Sequence, residues 1–473
     1  MKKISTCLIA LSLAASALAA GNYTNGIYLV NEDWFGHNSS TVNFYSYDAD
    51  TIAYRVYQAA NAANGYTLGN TTQYAALAGG NMYFCSKQNY GTTGGRLDVA
   101  DAKTLVRKAS ISTIGSADTR AFLSITASKA YVGTNKGIYT FDLTTNTVGP
   151  VIAGITGEVG NMVLVGDKVL AASNGKISVI DAVADILVKT VAVSSLTTVF
   201  AVGGQAYAAA NSSTWGAPGS SSTEHFLKLD ATTCEPTDTL AVAMATQNTW
   251  FAWKNSNPAI DEQHQVLYYS PYEGCNFISK YDLASGTFTQ QFITFDGSQQ
   301  MYGNVVAFDP ASGYIVAETF EGYSSQNYYL NIYKTDGTQV KSIKLASNYW
   351  FPSMVLFSPR EQVSTGVAST TAAGQVASVK YFNLQGMASD EPFDGINIKV
   401  ITYTDGTKQS LKMVKEQGFS PQETTPAARA AHSFLGCTSH DAFRVGNFRE
   451  IVVTLHLRLG VAASGGCDEK GIR

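Results

Sequence analysis

Charged residues are scarce in this chain of 473 residues, with 14% Asp, Glu, Lys and Arg and a formal net charge of −4. No run of Lys or Arg could follow a phosphate backbone, so we expect no nucleic-acid partner. Beyond the first twenty residues no stretch is long and apolar enough to cross a bilayer, so we expect no transmembrane span. The 45% of apolar residues instead favours a globular chain with a sizeable core.

Cysteine is also rare and lacks the close pairing that metal sites use. We expect free or buried thiols, with one disulfide as the alternative, and no metal site. Nucleophile motifs, phosphate-cradling loops and an obvious acid/base carboxylate pair are missing as well, so we expect no enzymatic activity and no cofactor. The cysteines beyond residue 20 are Cys85, Cys234, Cys275, Cys437 and Cys467.

The first twenty residues have the composition of a secretory signal peptide. Lys2 and Lys3 precede an apolar run over residues 7–18, and Ala17-Leu18-Ala19 fits the small-x-small cleavage pattern. We therefore expect an exported protein, in the medium or at the outer cell surface, with the periplasm as the alternative.

An apolar residue followed by Asp recurs before predicted turns at intervals of about 40–50 residues. Such a period, built from short strands, is typical of a β-propeller. In residues 160–193, Gly166-Asp167 and Asn174-Gly175 separate apolar runs and predict the hairpins of a four-stranded blade. The repeated Asp residues are Asp48, Asp101, Asp142, Asp181, Asp230 and Asp282, and Asp336 ends a seventh copy with its Asp two places late.

The first copy lacks its innermost strand, and residues 350–357 supply a strand at the far end. We therefore predict an all-β fold: one seven-bladed β-propeller over 22–359, closed by its terminal strand. A linker at 360–375 and a small β-rich module at 376–415 follow. Residues 416–473 contain no Tyr, although the chain has 26, and we interpret them as a disordered or non-native tail.

In a propeller, the connections between blades and the loops between second and third strands lie on one face, which we call the loop face. Here this face is rich in aromatic and amide side chains, which suit stacking on a flat ligand and hydrogen bonding to its edge. The opposite face has short turns. The predicted ligand-binding residues are Trp34, Phe35, His37, Asn38, Tyr90, Trp215, Trp250, Tyr272, Asn276, Tyr302, Tyr323 and Trp350.

Residues 29–42, which read LVNEDWFGHNSSTV, resemble the start of the Bacteroidetes surface propellers of the DUF5074 family, which are related to YncE-like propellers. The resemblance covers about 22–359. It implies a propeller at the cell surface. Since some members capture cobalamin for a TonB-dependent transporter, it also implies a corrinoid as one candidate ligand.

Residues 376–415 resemble the β-rich C-terminal sorting module of the type IX secretion system. Val379 to Met387 and Phe393 to Ile398 carry the likeness, together with a Lys-rich end. In that family the module ends the chain, whereas here 416–473 follow. The resemblance implies delivery to the outer surface or the medium.

We therefore expect a monomeric propeller that binds a small-molecule ligand without transforming it. A protein-interaction scaffold that docks on an outer-membrane transporter is the first alternative. A hydrolase of the lactonase or glycosidase type is the second, and its nearest candidate carboxylates are Glu32, Asp33, Glu273 and Glu321.

Overall fold

The computed structural model describes residues 21–35, 37–211, 223–245, 257–360, 376–383, 387–393, 395–403 and 408–415. The chain divides into two compact units, 1–361 and 362–473. Within the described residues, no helix has the length and apolar character needed to span a membrane.

The first unit consists of consecutive four-stranded antiparallel sheets, which we number as blades in chain order. Blade 1 contains β1 (Gly26–Asn31), β2 (Thr41–Ser46) and β3 (Thr51–Ala53), together with a late strand described below. Blade 2 contains β4 (Asn70–Ala78), β5 (Asn81–Gln88), β6 (Leu97–Asp101) and β7 (Arg107–Ile111). Blade 3 contains β8 (Thr119–Ser124), β9 (Lys129–Thr134), β10 (Gly137–Asp142) and β11 (Thr147–Val151). Blade 4 contains β12 (Met162–Val165), β13 (Lys168–Ser173), β14 (Lys176–Asp181) and β15 (Ile186–Ala192).

Three further sheets complete this unit. Blade 5 contains β16 (Leu196–Val202), β17 (Gln205–Asn211), β18 (Thr223–Leu229) and β19 (Pro236–Ala245). Blade 6 contains β20 (Ala259–Asp261), β21 (Val266–Tyr269), β22 (Phe277–Asp282) and β23 (Thr287–Thr294). Blade 7 contains β24 (Val306–Asp309), β25 (Tyr314–Phe320), β26 (Tyr328–Lys334) and β27 (Gln339–Lys344). A short helix α1 (Val56–Ala60) and a 3-10 turn (Ala62–Asn64) connect blades 1 and 2.

The last strand of the unit, β28 (Pro352–Phe357), joins blade 1. It runs antiparallel to β1, with Ile27 opposite Phe357. The Ser353 hydroxyl donates to the carbonyls of Val30 at 2.9 Å and Thr72 at 2.8 Å, which ties β28 to blades 1 and 2. The predicted all-β fold with terminal-strand closure is confirmed.

Adjacent blades pack through apolar side chains that alternate with the strand period. Between blades 2 and 3, the rings of Tyr83 and Phe122 stack with centroids 4.2 Å apart, and Phe141 meets Phe122 edge-on at 5.7 Å. Between blades 5 and 6, Phe226 contacts Tyr269 at 5.4 Å. These aromatic side chains are buried. Each contact therefore stabilises the blade packing, both by burying apolar area and by favourable aromatic geometry.

The repeated Asp residues have a structural role at the turn after the third strand. Asp142 Oδ1 accepts the backbone N–H groups of Thr144 and Thr145, at 2.7 and 2.9 Å. These bonds hold the pKa of the Asp142 carboxyl below its usual value. In blades 2 to 6, an Asp at the end of the third strand thus accepts backbone N–H groups of the turn that follows. The same pair of bonds forms at Asp101, Asp181, Asp230 and Asp282.

The second unit contains one described sheet. Its strands are β29 (Val376–Phe382), β30 (Ala388–Ser389), β31 (Gly395–Tyr403) and β32 (Lys408–Lys415), in the order β30-β29-β31-β32. Residues 361–375 and 416–473, for which a linker and a tail were predicted, lie outside the described residues. Cys85, Cys234 and Cys275 are buried free thiols, as expected, whereas Cys437 and Cys467 are also outside that range.

Candidate functional site

Four aromatic side chains stand exposed on the loop face. Trp34 (58% exposed) and Phe35 (49%) lie in the loop between β1 and β2, Tyr90 (67%) lies between β5 and β6, and Tyr323 (51%) lies between β25 and β26. These loops belong to blades 7, 1 and 2, which are consecutive in the ring. All other exposed large apolar side chains in the described part of the chain are aliphatic. Among the described residues, the exposed aromatic surface therefore lies in one sector of one face, which we call the aromatic sector.

A tight turn presents Trp34 to solvent in blade 1. The backbone N–H groups of His37 and Asn38 both donate to the carbonyl of Trp34, at 2.9 and 3.3 Å. The imidazole of His37 lies 4.7 Å from the indole, ring centroid to ring centroid. Because the turn closes on Trp34 itself, the indole, His37 and Asn38 form one exposed polar and aromatic patch.

Tyr323 is supported from below by other aromatic rings. It stacks on Phe351 with centroids 5.7 Å apart and meets Phe320 edge-on at 5.3 Å. Its hydroxyl donates to Glu273 in the loop of blade 6 at 2.6 Å. In that loop Tyr272 is half-buried and Asn276 is exposed. The aromatic sector therefore continues into blade 6 through a polar contact.

Two predicted site residues lie inside the protein. Trp350 is 3% exposed, its indole N–H donates to the carbonyl of Ala346 at 2.9 Å, and its ring stacks on Tyr54 with centroids 5.3 Å apart. Tyr302 is buried below the loop face and meets Phe351 edge-on at 4.8 Å. Trp350 therefore contributes packing at the ring closure, while Tyr302 belongs to the polar network described next.

Trp215 and Trp250, which the sequence also placed on this face, lie outside the described residues. The predicted residues in the loops of the aromatic sector are Trp34, Phe35, His37, Asn38, Tyr90 and Tyr323, and Tyr272 and Asn276 lie in the adjoining loop of blade 6.

A buried polar network connects blades 1, 2 and 7 beneath this surface. Gln73, near the start of β4, donates through Nε2 to the carboxylate of Glu32 and to the hydroxyl of Tyr302, the latter at 3.1 Å. All three side chains are buried. Burial raises the pKa of the Tyr302 hydroxyl, and the negative charge of Glu32 adds to that effect. Glu32 is thus held as a hydrogen-bond acceptor two residues before Trp34.

Two buried cations lie farther round the same face, in blades 2 and 3. Lys87 is near the end of β5, and Arg120 is at the start of β8. Arg120 reaches Glu158 at 3.3 Å and Asp118 at 3.6 Å. Burial lowers the pKa of Lys87 well below its usual range, and the positive charge of Arg120 lowers it further. Three carboxylates oppose this shift, and Glu32 has the largest effect of the three. Lys87 therefore lies where an additional anion would favour its charged form.

Sequence reasoning missed Lys87, Arg120 and Gln73, because each occupies an ordinary strand position and no motif surrounds them. The carboxylates considered for a hydrolase have partners of their own. Glu321 accepts from the Asn327 amide at 2.7 Å and from the Tyr329 hydroxyl at 2.9 Å. Within the described residues, no group of three or more His, Cys, Asp or Glu side chains is arranged to hold a metal ion.

The chain matches the family described as "Domain of unknown function (DUF5074)" over residues 25–358. The match spans more than half of the chain, so the protein belongs to this family. It covers all seven described blades and the loops of the aromatic sector.

Three solved structures are distantly similar to this chain. A chain of a mitotic checkpoint complex is 14% identical with a TM-score of 0.43, covering 73% of this chain and 88% of that one. The computationally designed protein Ika8 is 11% identical with a TM-score of 0.40, covering 72% and 96%. The extracellular domain of a putative one-component system from B. thetaiotaomicron is 13% identical with a TM-score of 0.48, covering 75% and 47%. No match was found among curated proteins.

Proposed function

We propose that this protein is an exported or surface-held propeller that binds a ligand on the aromatic sector and does not transform it. One observation carries this proposal: the exposed Trp, Phe and Tyr side chains of the described residues all lie on the loop face of blades 7, 1 and 2. Exposed aromatic rings cost hydration free energy, so their grouping on one sector favours a binding role.

The chemistry of the sector defines the ligand class. Trp34, Tyr90 and Tyr323 offer ring faces for stacking, and Asn38 and Asn276 offer amides for hydrogen bonds to a ligand edge. Lys87 lies three residues before Tyr90, and because burial lowers its pKa, an anion bound nearby would favour its charged form. The preferred ligand is therefore a flat or ring-shaped molecule with polar edges and an anionic group. A corrinoid has these features, as do acidic oligosaccharides.

A fluorescence titration tests this binding. The wild-type chain is titrated with cobalamin and with neutral and acidic oligosaccharides, and the tryptophan emission is followed. Tyr90→Ala combined with Tyr323→Ala retains every Trp reporter, and Val183→Ala with Val188→Ala, on exposed positions of blade 4, is the matched control. We expect a saturable response in the wild type and the control that weakens at least tenfold in the tyrosine variant. A wild type that responds to none of these ligands would remove the corrinoid and glycan proposals.

Docking on an outer-membrane transporter is the second candidate function. The observation in its favour is that exposed Trp and Tyr side chains flanked by polar residues are typical of protein interface hot spots. This function predicts that the wild type co-purifies with an outer-membrane protein and that Trp34→Ala loses the partner. It also predicts no saturable fluorescence response to the small molecules.

We also propose that residues 376–415 act as a sorting module for secretion. The described sheet of this unit and its likeness to type IX modules support the proposal. Fractionation of cells that express the full chain, or a chain ending at residue 415, tests it. Export of both chains, lost when 376–415 are deleted, is expected. Retention of all three chains inside the cell would contradict it.

A further inference from the structure

The interface that closes the ring, between blade 7 and blade 1, contains a polar cluster at its loop-face end. On β1, Ile27 and Leu29 pack in one core cluster with blade 7 residues, so Asn31, two places on, faces blade 7 as well. Thr41 and Asn43 on β2 are paired with Asn31 and Leu29 and share this side of the sheet. All three polar side chains are buried.

Glu318 faces this cluster from blade 7. It lies on the same side of β25 as Phe320, whose ring contacts Phe351 beside β28 with centroids 5.0 Å apart. The backbone N–H of Glu318 donates to the carbonyl of Val305. The preceding residue, Asn304, forms an isolated parallel β-bridge with Met354 of β28. Glu318 therefore sits opposite the part of blade 1 that contains Leu29 and Asn31.

Several buried polar atoms in this interface have no hydrogen-bond partner among the described residues. Glu318 is fully buried, and neither Oε1 nor Oε2 is partnered. Asn31 Oδ1 is also fully buried and unpartnered. Buried carboxyl and amide oxygens without a donor are costly, so a species that is not part of the protein chain is expected between them.

Asp33 completes the cluster from the loop after β1. Asp33 has a φ of 57° and is 5% exposed, and its carboxyl makes a side-chain hydrogen bond with Thr41. Burial raises the pKa of Asp33 to about 8. Burial also raises the pKa of Glu318 well above its usual value, and the nearby negative charge of Asp33 adds to that shift.

Large side chains separate the cluster from solvent. Tyr328 is buried near Asp33 and Glu318, and Trp350 is buried as well. The guanidinium of Arg55 lies over the Trp350 ring, 5.4 Å from its centroid. The positive charge of Arg55 also acts to lower the pKa of Asp33 and so opposes part of the effect of burial. Arg55 offsets only part of the two carboxylate charges, because its own side chain is exposed.

We propose that Asp33, Glu318 and Asn31 bind a hard metal cation of the Ca²⁺ type that joins the first and last blades. Two carboxylates and an amide oxygen are ligands that Ca²⁺ prefers, and water molecules complete its coordination. A divalent ion neutralises both carboxylates and supplies the partner that the oxygens of Glu318 and Asn31 lack. Besides the two carboxylates, the proposed ligands are an amide oxygen and water molecules, which are neutral. For this reason neither a sequence motif nor a cluster of three or more charged ligands marks the site.

Thermal unfolding of the full chain tests the proposal, with and without Ca²⁺ after treatment with a chelator. Wild type, Glu318→Gln and Asp167→Asn are compared, the last being an exposed carboxylate of blade 4. We expect Ca²⁺ to raise Tm by about a few degrees in the wild type and in Asp167→Asn, but not in Glu318→Gln. In the chelator, Glu318→Gln is expected to be at least as stable as the wild type, because the variant removes a buried acid.

Direct calorimetric titration of the wild type with Ca²⁺ keeps the test independent of variant folding. Saturable binding that is lost in both Glu318→Gln and Asp33→Asn supports the site. Absence of binding by the wild type would overturn the proposal and leave Glu318 as a protonated acid among waters. Equal binding by wild type and Glu318→Gln would overturn it as well, since the ion would then lie elsewhere.

Discussion

Blades 3 and 4 differ from blades 7, 1 and 2 at the loop face. In blades 3 and 4 the second and third strands are joined by the two-residue turns Asn135-Lys136 and Asn174-Gly175. In blade 1 the same connection runs over residues 32–40, and in blade 7 over 321–327. The long connections contain Trp34, Phe35 and Tyr323, whereas the short ones expose no large apolar side chain.

On the opposite face, blade 2 has the same turn after its third strand as blades 3 and 4. Asp101 of blade 2, Asp142 of blade 3 and Asp181 of blade 4 accept the same pair of backbone N–H groups. The four-stranded sheets and these turns recur along the chain and stabilise the fold, whereas the loop-face connections differ between blades and are available for binding. The predictions below test this separation, beginning with the largest expected effect.

Removal of the closing strand should abolish the fold of the first unit. A chain ending at residue 349 lacks β28, which leaves the edge of β1 unpaired and removes the Ser353 bonds to Val30 and Thr72. We expect no cooperative thermal transition for this chain by circular dichroism. A chain ending at residue 360 retains β28 and is the control. Cooperative unfolding of both chains at the same temperature would show that closure is dispensable.

Phe122→Ala should cost about 3–5 kcal/mol of unfolding free energy, because it leaves a cavity between Tyr83 and Phe141 in the regular part of the ring. Denaturant titration measures this change. The same variant should bind ligand normally wherever it is folded, since Phe122 does not reach the loop face. Loss of ligand affinity in folded Phe122→Ala would show that the core and the aromatic sector are not independent.

Lys87→Met should raise the stability at neutral pH. The pKa of Lys87 is lower in the folded protein than in the unfolded chain, so the unfolded state binds more protons between the two values. Protonation of Lys87 in the unfolded chain therefore favours unfolding at neutral pH, and this effect fades as the pH rises toward 10. Tm measured across pH for wild type and Lys87→Met should converge at high pH. Lys176→Met, half-exposed in blade 4, should show no such convergence.

Trp34→Ala should have the smallest effect on stability, within about 0.5 kcal/mol, because the indole is exposed. The same change should weaken ligand binding more than any substitution in blades 3 and 4. Denaturant titration and a binding assay on one preparation provide both values. A stability loss as large as that of Phe122→Ala would show that Trp34 is a packing residue.

The sequence was sufficient to predict the blades because turn and strand signals are local. Asn174-Gly175 and the Asp before each outer turn act on neighbouring residues, and the β28 closure follows from one strand missing at the start. The loop-face position of Trp34, Tyr90 and Tyr323 could be inferred in the same way. The sequence could not predict that these three side chains are exposed and that Trp350 is buried, because all four are aromatic residues near loops. The difference arises from tertiary neighbours such as Tyr54, which stacks on Trp350.

Buried charges were harder still to predict. Lys87, Arg120 and Glu318 lie in strands, where the alternating pattern of side chains predicts only an apolar core position or a solvent-exposed position. Their role depends on side chains far away in sequence, such as Glu158 for Arg120 and Asp33 for Glu318. Without the fold, no pattern around these residues indicates that they meet.

A thermal-shift screen of the exported full chain against small molecules from the growth environment tests the central claim most directly. The variant with Trp34, Phe35, Tyr90 and Tyr323 all changed to Ala is screened in parallel, with Val183→Ala plus Val188→Ala as the control. The account predicts ligands that raise Tm of the wild type and the control and leave the aromatic variant unchanged. Ligands that stabilise all three proteins equally would place binding outside blades 7, 1 and 2 and contradict it.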